Sequence, residues 1–268
     1  FKKFWKFIFL LMKTKFIILG SGYSLGVPRA DGEWGNCNPN VKKNYRTRCS
    51  AFIKTSFRNI IIDTSPDLRH QLIKNKINKI DCVFYTHKHG DQIHGINDLR
   101  VFSLKYNKQI PIYADKDTGK YLKSNFSYCF NDYPDYKAIL KLNKLKKVTT
   151  FQNNNNKISI RSVPVQHGKI LSQAFIINNS CAYVSDANKI FNNDIKFFKN
   201  LNYLIIDSLR YSSHPSHFGL NEVTDLVKLL KPKKTILTNL NNEMDYIDLL
   251  KLLPKNIVPG YDGMSFYI

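Results

Sequence analysis

Cysteine is sparse and scattered in this chain. The five thiols, at 37, 49, 82, 129 and 181, are odd in number and contain no C-x-x-C pair. That excludes a disulfide framework and points to a reducing compartment, with Cys82 and Cys181 sitting inside apolar runs. Cys37 and Cys49 flank a basic loop, but without paired spacing they read as ordinary thiols. Long apolar runs are missing too. The uncharged stretch near the N-terminus, Phe7-Ile8-Phe9-Leu10-Leu11, is too short to span a bilayer, and no small-residue cleavage site follows it. Met12 directly precedes a well-formed strand, so residues 1–14 are expected to be a spurious or disordered extension. The expected location is cytoplasmic, without stable membrane association. Acidic residues are the third scarcity: 20 against 41 Lys and Arg, for a net charge of +21. That imbalance favours phosphate-bearing partners, nucleic acid or smaller phosphoesters. The lysines are dispersed, so the charge does not choose between them.

What is present is a concentration of histidine. Three of the seven fall within Thr86-His87-Lys88-His89-Gly90-Asp91-Gln92-Ile93-His94, just after the apolar run Ile80–Tyr85. Two histidines one residue apart on extended backbone project to the same side, so both imidazoles can reach one ion. Asp91 adds a carboxylate oxygen suited to a divalent metal.

Further along, apolar runs of four to six residues alternate with polar loops, and chemistry-capable residues recur just past the run ends. Strands are expected at Lys15–Leu19, Ser50–Thr55, Asn59–Asp63, Lys157–Val163, Ala174–Ile177, Cys181–Val184, Tyr203–Asp207 and Thr235–Thr238. Helices are expected after Pro66 (carrying Leu68, Leu72 and Ile73), over Ile96–Leu104, Asp115–Phe126 and Leu220–Leu230. Residues 127–150 read as an irregular, Lys-rich excursion. The glycines of Gly20-Ser21-Gly22-Tyr23-Ser24-Leu25-Gly26 permit positive φ and exposed N–H groups, which makes Ser21 and Ser24 candidate phosphate contacts.

The order of motifs resembles the metallo-β-lactamase-fold hydrolases. The resemblance is to the branch acting on phosphodiesters, which includes phosphoribosyl cyclic phosphate phosphodiesterase and ribonuclease Z. It rests on Leu19-Gly20-Ser21-Gly22…Gly26-Val27-Pro28, Ile62-Asp63-Thr64, Thr86-His87-Lys88-His89-Gly90-Asp91, His167-Gly168, Ser185-Asp186, Ser216-His217-Phe218 and Leu237-Thr238-Asn239. The implied fold is α/β, a four-layer αββα metallo-β-lactamase-like sandwich over residues 15–268 as a single domain. The implied ligands of one firmly bound divalent ion (zinc, or manganese or iron) are His87, His89, His167 and Asp186. A second ion would lean on Asp91, but the chain departs from the family at Gln92 and Asn239, where imidazoles are expected. His94 is a candidate to compensate, and the second ion is left open. His217, and secondarily His214, resembles the proton donor to the leaving oxygen, and Arg100 and Arg210 are candidate phosphate forks.

The resemblance therefore implies a metal-dependent phosphodiesterase. In it, a metal-bound hydroxide oriented by Asp91 attacks a small nucleotide-like or cyclic phosphate ester. A ribonuclease Z-like RNA hydrolase is the alternative, with residues 127–150 replacing the missing flexible arm. A phosphate-ligand-binding protein with an impaired second metal site is the non-enzymatic reading. A homodimer is left open.

Overall fold

A computed structural model of the chain describes residues 14–268. The expected N-terminal extension therefore lies, apart from Thr14, outside the described residues. The strands are β1 (Lys15–Gly20), β2 (Ser50–Lys54), β3 (Asn59–Ile62), β4 (Cys82–Phe84), β5 (Ile110–Ala114), β6 (Leu140–Lys144), β7 (Val148–Asn153) and β8 (Asn156–His167). They continue with β9 (Ile170–Ile177), β10 (Cys181–Val184), β11 (Lys189–Ile190), β12 (Tyr203–Asp207), β13 (Lys234–Thr238), β14 (Ile257–Pro259) and β15 (Ser265–Tyr267). The α-helices are α1 (Leu68–Lys74), α2 (Gly90–Ile93), α3 (Arg100–Tyr106), α4 (Lys116–Asn125), α5 (Leu220–Leu230) and α6 (Tyr246–Leu252).

Two sheets result. The first runs β15-β1-β2-β3-β4-β5-β6, parallel from β3 onward. The second runs β11-β8-β9-β10-β12-β13-β14, parallel from β10 onward, with β7 also paired to β8. Period-two alternation divides each apolar run between two interiors. From β1, Phe16 and Ile18 point between the sheets, where they join Ile53, Ile60, Phe84, Phe175, Tyr183, Ile205 and Ile236. Ile17 and Leu19 point the other way, into a layer shared with Leu68, Leu72, Phe102 and Leu122 of α1, α3 and α4. Helix α5 covers the second sheet with Leu220, Val223, Val227 and Leu230, the i, i+3, i+7 stripe of an amphipathic helix. Because both faces of the central strands are covered, they read as unbroken apolar segments rather than alternating ones. The layers run helix, sheet, sheet, helix.

Three expectations about local structure need correction. Residues 94–106 form a 3₁₀ turn (His94–Leu99) followed by α3 rather than one helix from Ile96. Gly95 lies so close to the chain that an added Cβ would stand 2.0 Å from the Ser65 carbonyl oxygen, and this contact fixes the turn. The excursion 127–150 contains β6 and the start of β7; interspersed lysines hide them, since β6 is a sheet edge with water on one side. Ile73 is 63% exposed and does not share the buried face of α1. Pro164, unexpected inside a strand, pairs with Gln173 where neither β7 nor β11 flanks β8, so no ladder bond needs its missing N–H.

A candidate metal centre at the strand ends

The parallel strands β4, β10, β12 and β13 end at one rim of the sandwich, and the loops after them carry the polar residues. His87 and His89 follow β4 of the first sheet. His167 ends β8, Asp186 follows β10, Asp207 ends β12 and Asn239 follows β13 in the second.

Three imidazoles converge there. His87 Nε2 lies 2.9 Å from His89 Nδ1, and His167 Nε2 lies 3.3 Å from the same atom. The outer nitrogens of His87 and His167 are spoken for. His167 Nδ1 donates to the Ser216 carbonyl at 2.7 Å, a partner that can only accept, which leaves Nε2 with its lone pair inward. Gly168 makes this approach: at φ +57° it turns the chain so tightly that a Cβ would sit 2.9 Å from Ser216 Cβ. His87 Nδ1 lies 3.0 Å from Thr86 Oγ1, whose hydroxyl donates to Asp63 Oδ2 at 2.8 Å. Asp63 itself is buried at φ +60°, a left-handed conformation that Asp tolerates better than most residues. Burial holds His87 neutral, its pKa lowered to about 3, and burial likewise lowers His89 and His167. Three neutral nitrogens facing one another are disposed to share one cation. Tetrahedral coordination with bonds of about 2.0–2.1 Å sets nitrogens about 3.3 Å apart, close to the spacings present, so the donor set fits a divalent metal.

His167, Asp186 and His217 form a second group whose ligand atoms lie within 4.8 Å of one another. The Asp186 carboxylate is fully buried. Burial opposes its charge, but His87, His167 and His217 outweigh that and hold its pKa below the usual range. Gln92 Nε2 donates to Asp186 Oδ2 at 3.0 Å and to Asp91 Oδ2 at 3.2 Å. Asn239, at φ +62°, donates from Nδ2 to Asp186 Oδ1 at 3.2 Å and to the Ser185 carbonyl at 2.9 Å. Gln92 Oε1 is buried with no partner, an arrangement that costs about 1–3 kcal/mol. Asp91 is raised to about 6 by burial and by the neighbouring Asp186 charge.

His217 has a partner that its sequence motif does not reveal. Its Nδ1 donates to Asp207 Oδ2 at 2.7 Å. Burial would lower the imidazole pKa, yet the Asp207 charge and hydrogen bond, with Asp186 and Asp91 behind them, raise it to about 9. Asp207, fully buried, is raised to about 7 by that burial, so the pair titrates as a unit. Asp207 could have been found in the sequence: it repeats the apolar-run-then-Asp pattern of Val184-Ser185-Asp186.

A cavity of about 380 Å³ opens over this floor, lined by Tyr23, Ser24, His89, Asp91, His167, Asp186, Leu209, Arg210, His214, Ser216, His217 and Asn241. Ser24, Arg210 and His214 are thus placed beside the expected ligands. Tyr23, Ser216 and Asn241 were not expected there. Three residues named from the sequence lie elsewhere. Ser21 is buried, and its hydroxyl and N–H both donate to Asp262 Oδ1 at 2.9 Å, 241 residues away. Arg100 stacks 4.5 Å over the Tyr136 ring and lines a separate groove between α1 and α3. His94, about 200° around the helix axis from Gln92, is exposed and faces Phe126 with ring centroids 5.9 Å apart, so it does not compensate for Gln92. Among the described residues, no helix is long and apolar enough to cross a membrane.

The family model described as the beta-lactamase superfamily domain matches residues 58–238. The chain is 30% identical over 257 residues to a Porphyromonas gingivalis (strain ATCC BAA-308 / W83) octanoyltransferase, covering 94% of this chain and 51% of that protein. It thus spans about half the length of that curated relative. It is 30% identical over 105 residues to a Prochlorococcus marinus (strain MIT 9215) ribonuclease Z, covering 37% of this chain and 34% of that one. Among solved structures it superposes on a diphosphatase of the PhnP family with a TM-score of 0.87 and 28% identity, covering 96% of this chain and 98% of that one. With well over half its residues inside the family model and its polar side chains gathered at the rim of a helix–sheet–sheet–helix sandwich, the chain belongs to the beta-lactamase superfamily and has the metallo-β-lactamase fold.

Proposed function

We propose that the chain is a divalent-metal-dependent phosphodiesterase acting on small nucleotide-like or cyclic phosphate esters. The observation that carries this reading is the shared cavity: His89, His167 and the buried Asp186 carboxylate line it, His87 stands directly behind them, and a histidine raised to about 9 faces it from the side. A divalent ion held by His87, His89, His167 and Asp186 would supply Lewis-acid charge for phosphoryl oxygens and for activating water. The chain's own groups account for the protons. Asp91, ionised above about pH 6, accepts one from the attacking water. As the new P–O bond forms and the ester P–O bond breaks, His217 gives its proton to the departing oxygen, and Asp207 stabilises the imidazolium before transfer. Arg210 is fixed by donating from Nε and Nη2 to the Ser213 carbonyl, which leaves Nη1 for a phosphate oxygen at the mouth with Ser24.

The cavity volume is in the range of small-molecule sites. The similarity to a PhnP-family diphosphatase over nearly the full chain supports phosphoester chemistry. Octanoyl transfer fits poorly: only Tyr23 and Leu209 bring much apolar surface to the cavity, too little to sheath an eight-carbon chain. RNA is the second reading. It is favoured by Tyr128 and Tyr133, 40% and 46% exposed among the lysines of the 127–150 segment, and by the similarity to ribonuclease Z.

The test is hydrolysis of bis(p-nitrophenyl) phosphate, nucleoside cyclic phosphates and a precursor tRNA, before and after chelation and reloading with Zn²⁺ or Mn²⁺. Chelator-sensitive turnover of the small esters is expected. Cleavage of the precursor alone would favour the RNA reading, and no metal-dependent turnover of any of them would refute both.

A further inference from the structure

We propose that Gln92 and Asn239 stand in for a second ion: their amide N–H groups clamp the two oxygens of Asp186, so the chain holds one divalent cation and not a pair. This rests on the preceding reading that His87, His89, His167 and Asp186 hold an ion.

The direction of each amide is set by its partners. Asn239 Nδ2 is 2.9 Å from the Ser185 carbonyl, which only accepts, so the NH₂ end faces that carbonyl and Asp186 Oδ1. Its own Oδ1 is turned toward the Cys49 thiol, 3.8 Å from Sγ and away from the carboxylates. Gln92 Nε2 sits between Asp91 Oδ2 and Asp186 Oδ2, which also only accept, and this fixes its NH₂ end even though Oε1 is left buried and unpartnered. Neither amide thus offers an oxygen lone pair to the space beside Asp186; both offer the positive ends of N–H dipoles.

The backbone holds both side chains in place. The Gln92 carbonyl accepts from Thr64 N–H at 2.8 Å, and Asn239 keeps its left-handed φ of +62° at the end of β13. Both residues are essentially inaccessible to water. The remaining imidazole on that side, His217, is already bound to Asp207. A second cation would have to break two donor bonds on Asp186 and, beside the Asp91 carboxylate, would meet amide donors where it needs ligands. Each Asp186 oxygen accepts one amide N–H and keeps a further acceptor position, so the carboxylate can still serve the first ion.

The test counts ions. Protein incubated with excess Zn²⁺ or Mn²⁺ and desalted should carry one ion per chain by elemental analysis, and its Mn²⁺ form should give the spin-resonance spectrum of an isolated ion. Gln92→His with Asn239→His should raise the count to two. Gln92→Leu, which removes one donor and adds no ligand, should keep one ion with about tenfold weaker affinity. Two ions per wild-type chain, or an exchange-coupled manganese spectrum, would overturn the clamp and leave the phosphodiesterase reading standing. A chain that retains no ion would overturn both. A folded double variant that still holds one ion would overturn the assignment to these two residues. If that variant does not fold, the wild-type count and spectrum decide.

Discussion

His217 Nδ1 and Asp207 Oδ2 are 2.7 Å apart, the imidazole at the cavity wall and the carboxylate sealed at the end of β12. Among the described residues no other acid shares a hydrogen bond with His217, so this carboxylate orients the ring and, more than Asp186 and Asp91, raises its affinity for a proton. Asp207→Asn is expected to lower kcat about 10²–10⁴-fold while leaving metal content unchanged. Without the carboxylate, the imidazole pKa falls back from about 9, so the alkaline limb of the kcat profile should shift to lower pH. Rates measured from pH 6 to 10 check this; an unmoved limb would exclude His217 as the donor.

A second expectation concerns the relay behind His87. The Thr86 hydroxyl donates to Asp63 and accepts from His87 Nδ1, which fixes the tautomer that turns Nε2 toward the other imidazoles. Thr86→Val removes the relay at nearly constant volume. Metal affinity should weaken about 10–100-fold, as is typical when an outer partner of a metal ligand is lost. Competition with a chromophoric chelator measures it, and Thr86→Ser should restore most of the affinity.

The same His217–Asp207 pair makes a prediction about stability. The folded-state pKa of His217 is raised to about 9 from 6.5, so its contribution is fully present below about pH 6.5 and is lost as pH rises through about 9. Metal-free protein should therefore show a falling Tm between pH 7 and 9.5. His217→Gln should flatten that slope, and a wild-type Tm that climbs across the interval would contradict the assignment.

Much of the fold was legible because both faces of the central strands are buried. Ile60-Ile61-Ile62 and Leu204-Ile205-Ile206 can be read as strands from composition alone. The strand β6, Leu140-Lys141-Leu142-Asn143-Lys144, was not legible, since at a sheet edge its lysines reach water and mask the alternation. At the candidate site, His87 and His89 stood out as a histidine pair just beyond an apolar run, whereas His167 and Asp186 were singled out through the family resemblance. Asp207 was missed because a strand-terminal Asp looks like a turn residue, although it repeats the pattern that ends at Asp186. Ser21 was misplaced for the converse reason: the glycines around it suggested an open phosphate loop, while the acid that takes its hydroxyl, Asp262, lies near the other end of the chain. The Gln92 and Asn239 departures were visible at once, but the direction of their N–H groups needs three dimensions.

His89 and His167 are separated by 78 residues, one in a loop of the first sheet and the other at the end of β8 in the second, yet their ring nitrogens stand 3.3 Å apart. Any ion gripped by both acts as a rivet through the sandwich, closing a loop whose ends would otherwise carry a sizeable entropy penalty. Metal affinity and resistance to unfolding then become two faces of one equilibrium, each tenfold gain in free ion above the dissociation constant adding about 1.4 kcal/mol to the folded state. The persistence of this protein in a cell would track the supply of its ion, with proteases acting first on the unriveted molecules.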